Sequence, residues 1–361
     1  MKEIIKRIRI WDKENPGPYK IQINPTNRCN LECKFCWQRT NKEINYSEVN
    51  DERYLDLIEE AKSLGVREIE ITGGGEPLLR KDLTIQLIEK IKRKGMKGKL
   101  ITNGTEFDRK DLQKIVKSGW EEIIFSVDGA KRTHNQLRQV EGCFEETISS
   151  MKELKNMRNE GKPDMTIHMV LCKDNHNEIN EVLKTARDIE CDNFFIEPVV
   201  ILALDTDVEN KLKMNREELE AALENLEEGK KEADKEGLNH NFRDIKRELI
   251  ERTNKMNEVI EVDVDKQSKN HSKGGRLENA ACFEPWYNMI IRPEGDAGPC
   301  CMFDNQGPNI KENSLEKIWF GDYFERIRKR MIEHNLLSFC SKCNPSQVSE
   351  NRRIRKCLQN G

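Results

Sequence analysis

The chain has 361 residues, 36% hydrophobic and 35% charged, and its 62 Lys and Arg against 65 Asp and Glu leave a formal net charge of −3. No apolar run approaches the roughly 18 residues of a bilayer-spanning helix, and the balanced charge argues against a dedicated nucleic-acid binder, which concentrates a basic excess on one face. The opening MKEIIKRIRIWDKENPGP lacks an apolar signal core, so the expected location is cytoplasmic, where twelve cysteines serve as metal ligands or redox groups more readily than as disulfides.

Short apolar runs with β-branched residues alternate with amphipathic stretches about every 25 to 40 residues, the rhythm of strand-plus-helix units. In chain order, strands are predicted at Tyr19–Asn24, Glu68–Thr72, Lys99–Thr102, Glu122–Val127, Met165–Leu171 and Asn193–Glu197. Helices are predicted between them at Asp51–Leu64, Asp82–Lys94, Arg109–Ser118, Phe144–Asn159 and Asn177–Ile189. This series predicts an α/β fold with a parallel sheet, either doubly wound or an incomplete βα barrel. Both architectures collect chemistry at the C-terminal ends of the strands. The polar segments Pro25–Cys36, Thr72–Pro77, Thr102–Thr105 and Asp128–Ala130 fall there.

Residues 205–273 change texture to a charge-dense stretch with Glu and Lys at helical spacing, read as solvated helices linking two domains, with a substrate- or partner-binding insertion as the alternative. The expected organisation is therefore a core over 1–204, a charged helical insertion or linker over 205–273, and a Cys-rich region over 274–361.

Cys29, Cys33 and Cys36 form C-x3-C-x2-C after the first strand. Three thiolates are one short of the four that close an iron–sulfur cluster or a tetrahedral zinc site, which leaves a coordination position for a substrate or cofactor. Gly73–Pro77, GGGEP, follows the second strand, where glycines let backbone approach a ligand closely. A structural zinc site completed by a distant residue is the alternative reading of the thiols.

With both motifs present, residues 15 to 200 resemble the radical S-adenosylmethionine (SAM) superfamily, a partial (β/α)6 barrel. The resemblance implies a [4Fe-4S] cluster on Cys29, Cys33 and Cys36, with SAM chelating the fourth iron and a 5′-deoxyadenosyl radical removing a substrate hydrogen atom. It places Gly74, Gly75 and Glu76 at the methionyl amine, Ser126 at the methionyl carboxylate or ribose, Arg138 on the carboxylate, Phe35 beside the adenine, and Asn103 and Asp128 along the same cavity. Each of these residues also suits a turn, a cap or packing.

Cys282 and Cys300 form C-x17-C, and Cys340 and Cys343 form C-x2-C; four thiolates in two pairs close a zinc site or an iron–sulfur cluster. Beside such a core, this region resembles the SPASM tail or its shortened Twitch form, a small Cys-rich α+β domain. Ser349 stands where a full tail carries another cysteine and only Cys357 follows, so one auxiliary cluster is expected, on Cys282, Cys300, Cys340 and Cys343. That layout is similar to the 2-deoxy-scyllo-inosamine dehydrogenases of aminoglycoside biosynthesis, in which the auxiliary cluster accepts the second electron.

Among single residues, Cys301 reads as a buried small side chain, and Cys172 as structural or as a hydrogen-atom donor in an epimerase. His134, His176 and His240 read as surface or core residues, while His168 and Glu197 are candidate substrate contacts. The expected function is a radical SAM oxidoreductase acting on a small polar substrate such as a sugar or aminocyclitol alcohol, with an external electron donor such as flavodoxin or ferredoxin. The alternatives are a peptide maturase or epimerase and, remotely, a non-catalytic zinc protein. Peptide maturases often carry an N-terminal recognition domain, for which the residues before Tyr19 leave no room, so a small molecule or short peptide is favoured.

Overall fold

The computed structural model describes residues 1–36, 38, 47–158, 160–199, 206–254, 277–303 and 307–359. Its centre is a parallel sheet of β1 (Lys20–Ile23), β2 (Glu68–Ile71), β3 (Lys97–Thr102), β4 (Glu122–Ser126), β5 (Asp164–Leu171) and β6 (Asn193–Pro198), each strand pairing with the next. Helices at Asp51–Ser63, Lys81–Arg93, Arg109–Ser118, Cys143–Met157 and Ile179–Asp188 separate the strands, as the periodicity predicts. Spatial order follows chain order, so the units form a partial barrel rather than a doubly wound sheet, and the sheet is open rather than closed.

Alternation along the strands explains this curvature. Ile21, Ile23, Ile69, Ile71, Leu100, Ile123 and Phe125 are fully buried in one core with Leu57, Ile58, Leu87, Ile88, Leu112 and Ile115 of the helices. Each such side chain contributes about 1.5–3 kcal/mol. The intervening residues on β1 and β2 are Lys20, Gln22, Glu68 and Glu70, and all keep accessible surface. These polar side chains occupy the sheet face opposite the buried isoleucines. Helix starts are fixed by short polar residues: Asn50 accepts from the Arg53 amide at 2.8 Å, and Asp108 forms a capping box with Asp111.

The sheet continues beyond β6 and β1. A short β7 (Asn239–His240) pairs with β6 between helices Arg216–Glu236 and Phe242–Asn254. Leu219, Ala222, Leu226 and Ala233 of the first helix are buried in the main core, so residues 206–254 of the expected linker pack onto the barrel and lengthen its sheet. Residues 255–273 of that segment lie outside the described residues. On the other edge, β8 (Asn288–Ile291) pairs in parallel with β1, and β9 (Ala297–Gly298) pairs antiparallel with β8. Helix Lys2–Glu14, unpredicted because its charge hides the Ile4, Ile5 and Ile8 stripe, enters a second core with Phe283, Trp286 and Ile354. Among the described residues, no helix is long and apolar enough to cross a membrane.

Candidate active site

The cysteine loop between β1 and the first barrel helix is held from several sides. Asn30 donates to Thr105 Oγ1 at 2.8 Å and Glu106 Oε1 at 2.7 Å, and accepts from Asn103 Nδ2 at 2.9 Å. The Glu32 and Lys34 amides donate to the Arg138 and Leu137 carbonyls at 3.1 and 2.8 Å. Cys29 is exposed, Cys33 buried and Cys36 half-buried, and burial is the main cause that pushes the Cys29 thiol up to about 11. Asn103, expected along the cofactor cavity, spends its side chain on Asn30 and Thr105 and so supports the loop.

Gly73–Gly75 run directly beneath this loop. A Cβ on Gly75 would lie 1.9 Å from the Arg28 carbonyl oxygen and one on Gly74 2.3 Å from Asn27 Oδ1, so only glycine permits the approach. The Gly75 and Glu76 amides donate to the Thr26 and Arg28 carbonyls at 2.9 and 2.8 Å. Glu76 is 2% exposed, and its carboxylate accepts from the Leu78 amide at 3.0 Å, Thr102 Oγ1 at 2.7 Å and the Asn103 amide at 2.7 Å. Its side chain, expected at the methionyl amine, is thus committed to joining the ends of β2 and β3. Burial pushes it up to about 6 against those three donors.

Arg138, expected on a ligand carboxylate, is buried and already paired. Its Nε and Nη2 meet Asp128 Oδ2 at 2.6 and 2.5 Å, Nη1 points at Cys33 Sγ from 3.6 Å, and the guanidinium lies 5.3 Å from the Phe35 ring. Burial alone would lower the Arg138 pKa, but Asp128 and Cys33 keep the charge in place. Asp128 Oδ1 accepts from the Val170 amide at 2.8 Å. One buried ion pair thereby ties the cysteine loop to β4 and β5. His134 accepts from the Asp128 amide at 3.2 Å through Nδ1 and is held neutral, its pKa pulled to about 4 by burial and Arg138.

Ser126 and His168 face each other in register on β4 and β5 and retain accessible surface. Burial, chiefly, lowers the His168 pKa, so the ring is neutral. Cys172 is fully buried with Leu137 and Val199, a packed environment in which burial pushes its thiol up to about 12. Glu197, at the end of β6, accepts from the Ser346 amide at 3.2 Å and joins the barrel mouth to the helix Pro345–Gln359.

Cys282, Cys300, Cys340 and Cys343 all line one cavity of about 70 Å³, together with Glu284, Met302, Phe339 and Arg355. Burial pushes Cys343 up to about 12 and raises the Cys282 and Cys300 thiols well above their ordinary value, with neighbouring acidic and thiol groups adding to the effect. Bound iron supplies that charge and deprotonates coordinating thiols outright. Among the described residues, no three His, Cys, Asp or Glu side chains converge on a single metal ion. Thiols spaced around open volume instead suit a multi-iron cluster, and the donor set fits that group. Cys301 is exposed rather than buried, with Sγ 3.8 Å from Gln347 Oε1, and Cys357 is exposed on the terminal helix.

Three features escaped the sequence reading. Arg138 reaching Cys33, Asn30 bracing the loop and Glu284 among the second thiols all depend on chain reversals that spacing does not encode. The polar face of the sheet did leave a signal, the alternation in KIQI and EIEI.

With this geometry in view, comparison with known proteins identifies the class. Residues 23–186 match the radical SAM superfamily and residues 282–344 match SPASM, an iron-sulfur cluster-binding domain. The chain belongs to the radical SAM superfamily and carries a C-terminal SPASM domain; it is an enzyme whose cofactors are SAM and [4Fe-4S] clusters. It is 34% identical over 139 residues to an Fe-coproporphyrin III synthase of Methanosarcina barkeri, a match covering 38% of this chain and 33% of that protein. An AdoMet-dependent heme synthase of the same organism is 25% identical over 349 residues, 96% of this chain and 94% of its own. A PqqA peptide cyclase of Granulibacter bethesdensis is 25% identical over 315 residues, 84% and 74% of the two chains. Among solved structures, Streptococcus suis SuiB bound to its precursor peptide SuiA superposes with a TM-score of 0.64 at 19% identity, covering 90% of this chain and 70% of that one, which establishes a shared fold.

Proposed function

We propose that this enzyme is an oxidoreductase that cleaves SAM reductively at a cluster held by Cys29, Cys33 and Cys36 and removes a hydrogen atom from a peptide inserted into the barrel lumen. Cys282, Cys300, Cys340 and Cys343 would hold an auxiliary cluster that accepts the second electron. The bound [4Fe-4S] cluster with SAM supplies the one-electron chemistry. The chain's own residues position it: the glycine turn admits the ligand, Asn30 and Arg138 hold the loop, and Ser126 and His168 present uncommitted polar atoms to the lumen.

The observation that carries this reading is that one polar sheet face runs from the strands behind the cysteine loop to β1, which pairs in parallel with β8 of the C-terminal region. On that face, Lys20 feels Glu284 and Glu350 of the C-terminal region, and His168 feels Asp128 and Arg138 behind the cysteine loop. The sugar or aminocyclitol expectation draws no support from the relatives, among whose names peptide processing recurs. A tetrapyrrole substrate is the second reading, favoured by the end-to-end match to the heme synthase. An external flavodoxin or ferredoxin would deliver electrons at the exposed Cys29 side.

Anaerobic reconstitution with iron and sulfide tests this. About eight irons in the wild type, about four in the Cys29/Cys33/Cys36→Ala variant and 5′-deoxyadenosine formed by the wild type alone are the expected outcome. About four irons in total, accompanied by zinc, would remove the auxiliary cluster from the mechanism.

A further inference from the structure

Cys33 differs from Cys29 and Cys36 in what surrounds it. Cys29 is exposed and Cys36 half-buried, whereas Cys33 is buried in a small cluster with Leu31 and Cys143, against which Phe35 and Val140 pack. The amides on either side of it, those of Glu32 and Lys34, donate to the Arg138 and Leu137 carbonyls. The main chain around Cys33 is thereby fixed to the end of the helix Lys131–Arg138. The side chain of the same Arg138 then turns back to the sulfur, with Nη1 3.6 Å from Cys33 Sγ, a length suited to an N–H···S hydrogen bond.

This donor is held in place from its far side. Nε and Nη2 both meet Asp128 Oδ2, which occupies one edge of the guanidinium and leaves Nη1 as the group on the sulfur. Phe35 lies 5.3 Å from the guanidinium. Asp128 is fully buried, accepts from the Val170 amide at 2.8 Å through Oδ1, and accepts from Asn175 Nδ2 at 2.7 Å through its main-chain carbonyl. The ion pair carries no net charge, yet its positive end is the one in contact with Cys33. Donors to the cysteine sulfurs of an iron–sulfur cluster raise its reduction potential, because they stabilise the form that carries more negative charge. Burial strengthens such a contact.

We propose that Arg138, oriented by Asp128, raises the reduction potential of a cluster on Cys29, Cys33 and Cys36 by donating a hydrogen bond to the Cys33 sulfur. This rests on the reading that those three thiolates hold the first cluster, and it adds the residue that sets how strong a reductant the enzyme needs. In that step one electron passes from an external one-electron reductant to the cluster. No covalent bond of the chain forms or breaks, and Arg138 keeps its protons.

The test is an anaerobic reductive titration of the reconstituted enzyme followed by EPR, without SAM, so that contacts to bound SAM do not contribute. The signal missing from the Cys29/Cys33/Cys36→Ala variant belongs to the first cluster. Asp128→Asn/Arg138→Met removes the donor and leaves the local net charge unchanged, and replacing both members of a buried ion pair is tolerated better than removing one. In this variant the ratio of reduced to oxidised first cluster is expected to fall about tenfold at the poise where the wild type is half reduced, a downward shift of about 59 mV. Arg138→Met alone is expected to fall at least as far, because it also strands the Asp128 carboxylate. Asp128→Asn alone keeps the donor and removes a negative charge, so its ratio is expected to rise. Iron content and melting temperature report whether each variant folds; where a single variant does not, the double variant decides. A wild-type potential in the double variant overturns the proposal, and so does an equal fall in Asp128→Asn, which a merely structural pair would give. If no signal is missing from the cysteine variant, the reading of the first cluster falls and the proposal with it. A signal that is present but unshifted removes the tuning role and leaves that reading standing.

Discussion

Glu76 shows how a residue in a glycine-rich turn acts through the backbone it supports. Three donors converge on its carboxylate, and a Gln there would turn an amide toward one of them, leaving a buried N–H unpaired. Glu76→Gln is expected to cost about 1–3 kcal/mol in urea unfolding of the cluster-free protein. It also changes the pH dependence. The carboxyl rises from 4.5 to about 6 on folding, so the native state binds more protons than the unfolded chain between those values. Stability therefore falls as pH rises across that window and levels off above it, and the variant should lose this part of the slope. Asp128 and Arg138 form the second residue-scale case. Arg138→Gln strands a fully buried carboxylate and is expected to cost about 3–5 kcal/mol, whereas Asp128→Asn with Arg138→Gln should recover more than about 1 kcal/mol of the summed single costs. Additive costs would show that the pair carries no coupling.

At the scale of elements, what the sequence made legible and what it hid divide by range of interaction. Strands and their helices were readable because alternation and helical periodicity are local: KIQI and EIEI bury Ile21, Ile23, Ile69 and Ile71 wherever the rest of the chain lies. The cysteine loop and glycine turn were readable because their spacing is short. Helix Lys131–Arg138 went unpredicted because its sequence, KRTHNQLR, is almost wholly polar, and its burial of His134, Asn135 and Arg138 follows from the Asp128 pair rather than from a hydrophobic stripe. The pairing of β8 with β1 was equally hidden, since parallel partners more than 260 residues apart leave no local mark. The polar face of the sheet is thus written in the sequence as alternation, whereas what lies against that face depends on how the units assemble.

For the whole molecule, the pairing of β8 with β1 has a consequence for cooperativity. Among the described residues, nine strands run as a single sheet from β7 through β1 to β9, so the SPASM region shares backbone hydrogen bonds with the barrel. Further ties cross the same boundary. Trp11 and Trp319 stack edge to face at 6.0 Å, and the Arg328 guanidinium lies 4.5 and 4.4 Å from their rings. Glu197 accepts from the Ser346 amide at 3.2 Å. Losing the C-terminal region would expose the edge of β1 and the apolar surface under Met289 and Ile291, so neither part reaches its full burial alone. Cluster-free, reduced protein is therefore expected to melt in one calorimetric transition. Trp120 lies in the barrel core and Trp286 in the C-terminal core, both almost fully buried, so fluorescence reports the two regions separately in two single-tryptophan variants, each with the other four of the five tryptophans changed to Phe. After each variant's own shift is taken from calorimetry, both probes should follow the calorimetric curve. A C-terminal transition that precedes the barrel's by several degrees would mean that the shared sheet edge carries too little energy to couple them, and that the second thiol set is assembled on a separately folding unit.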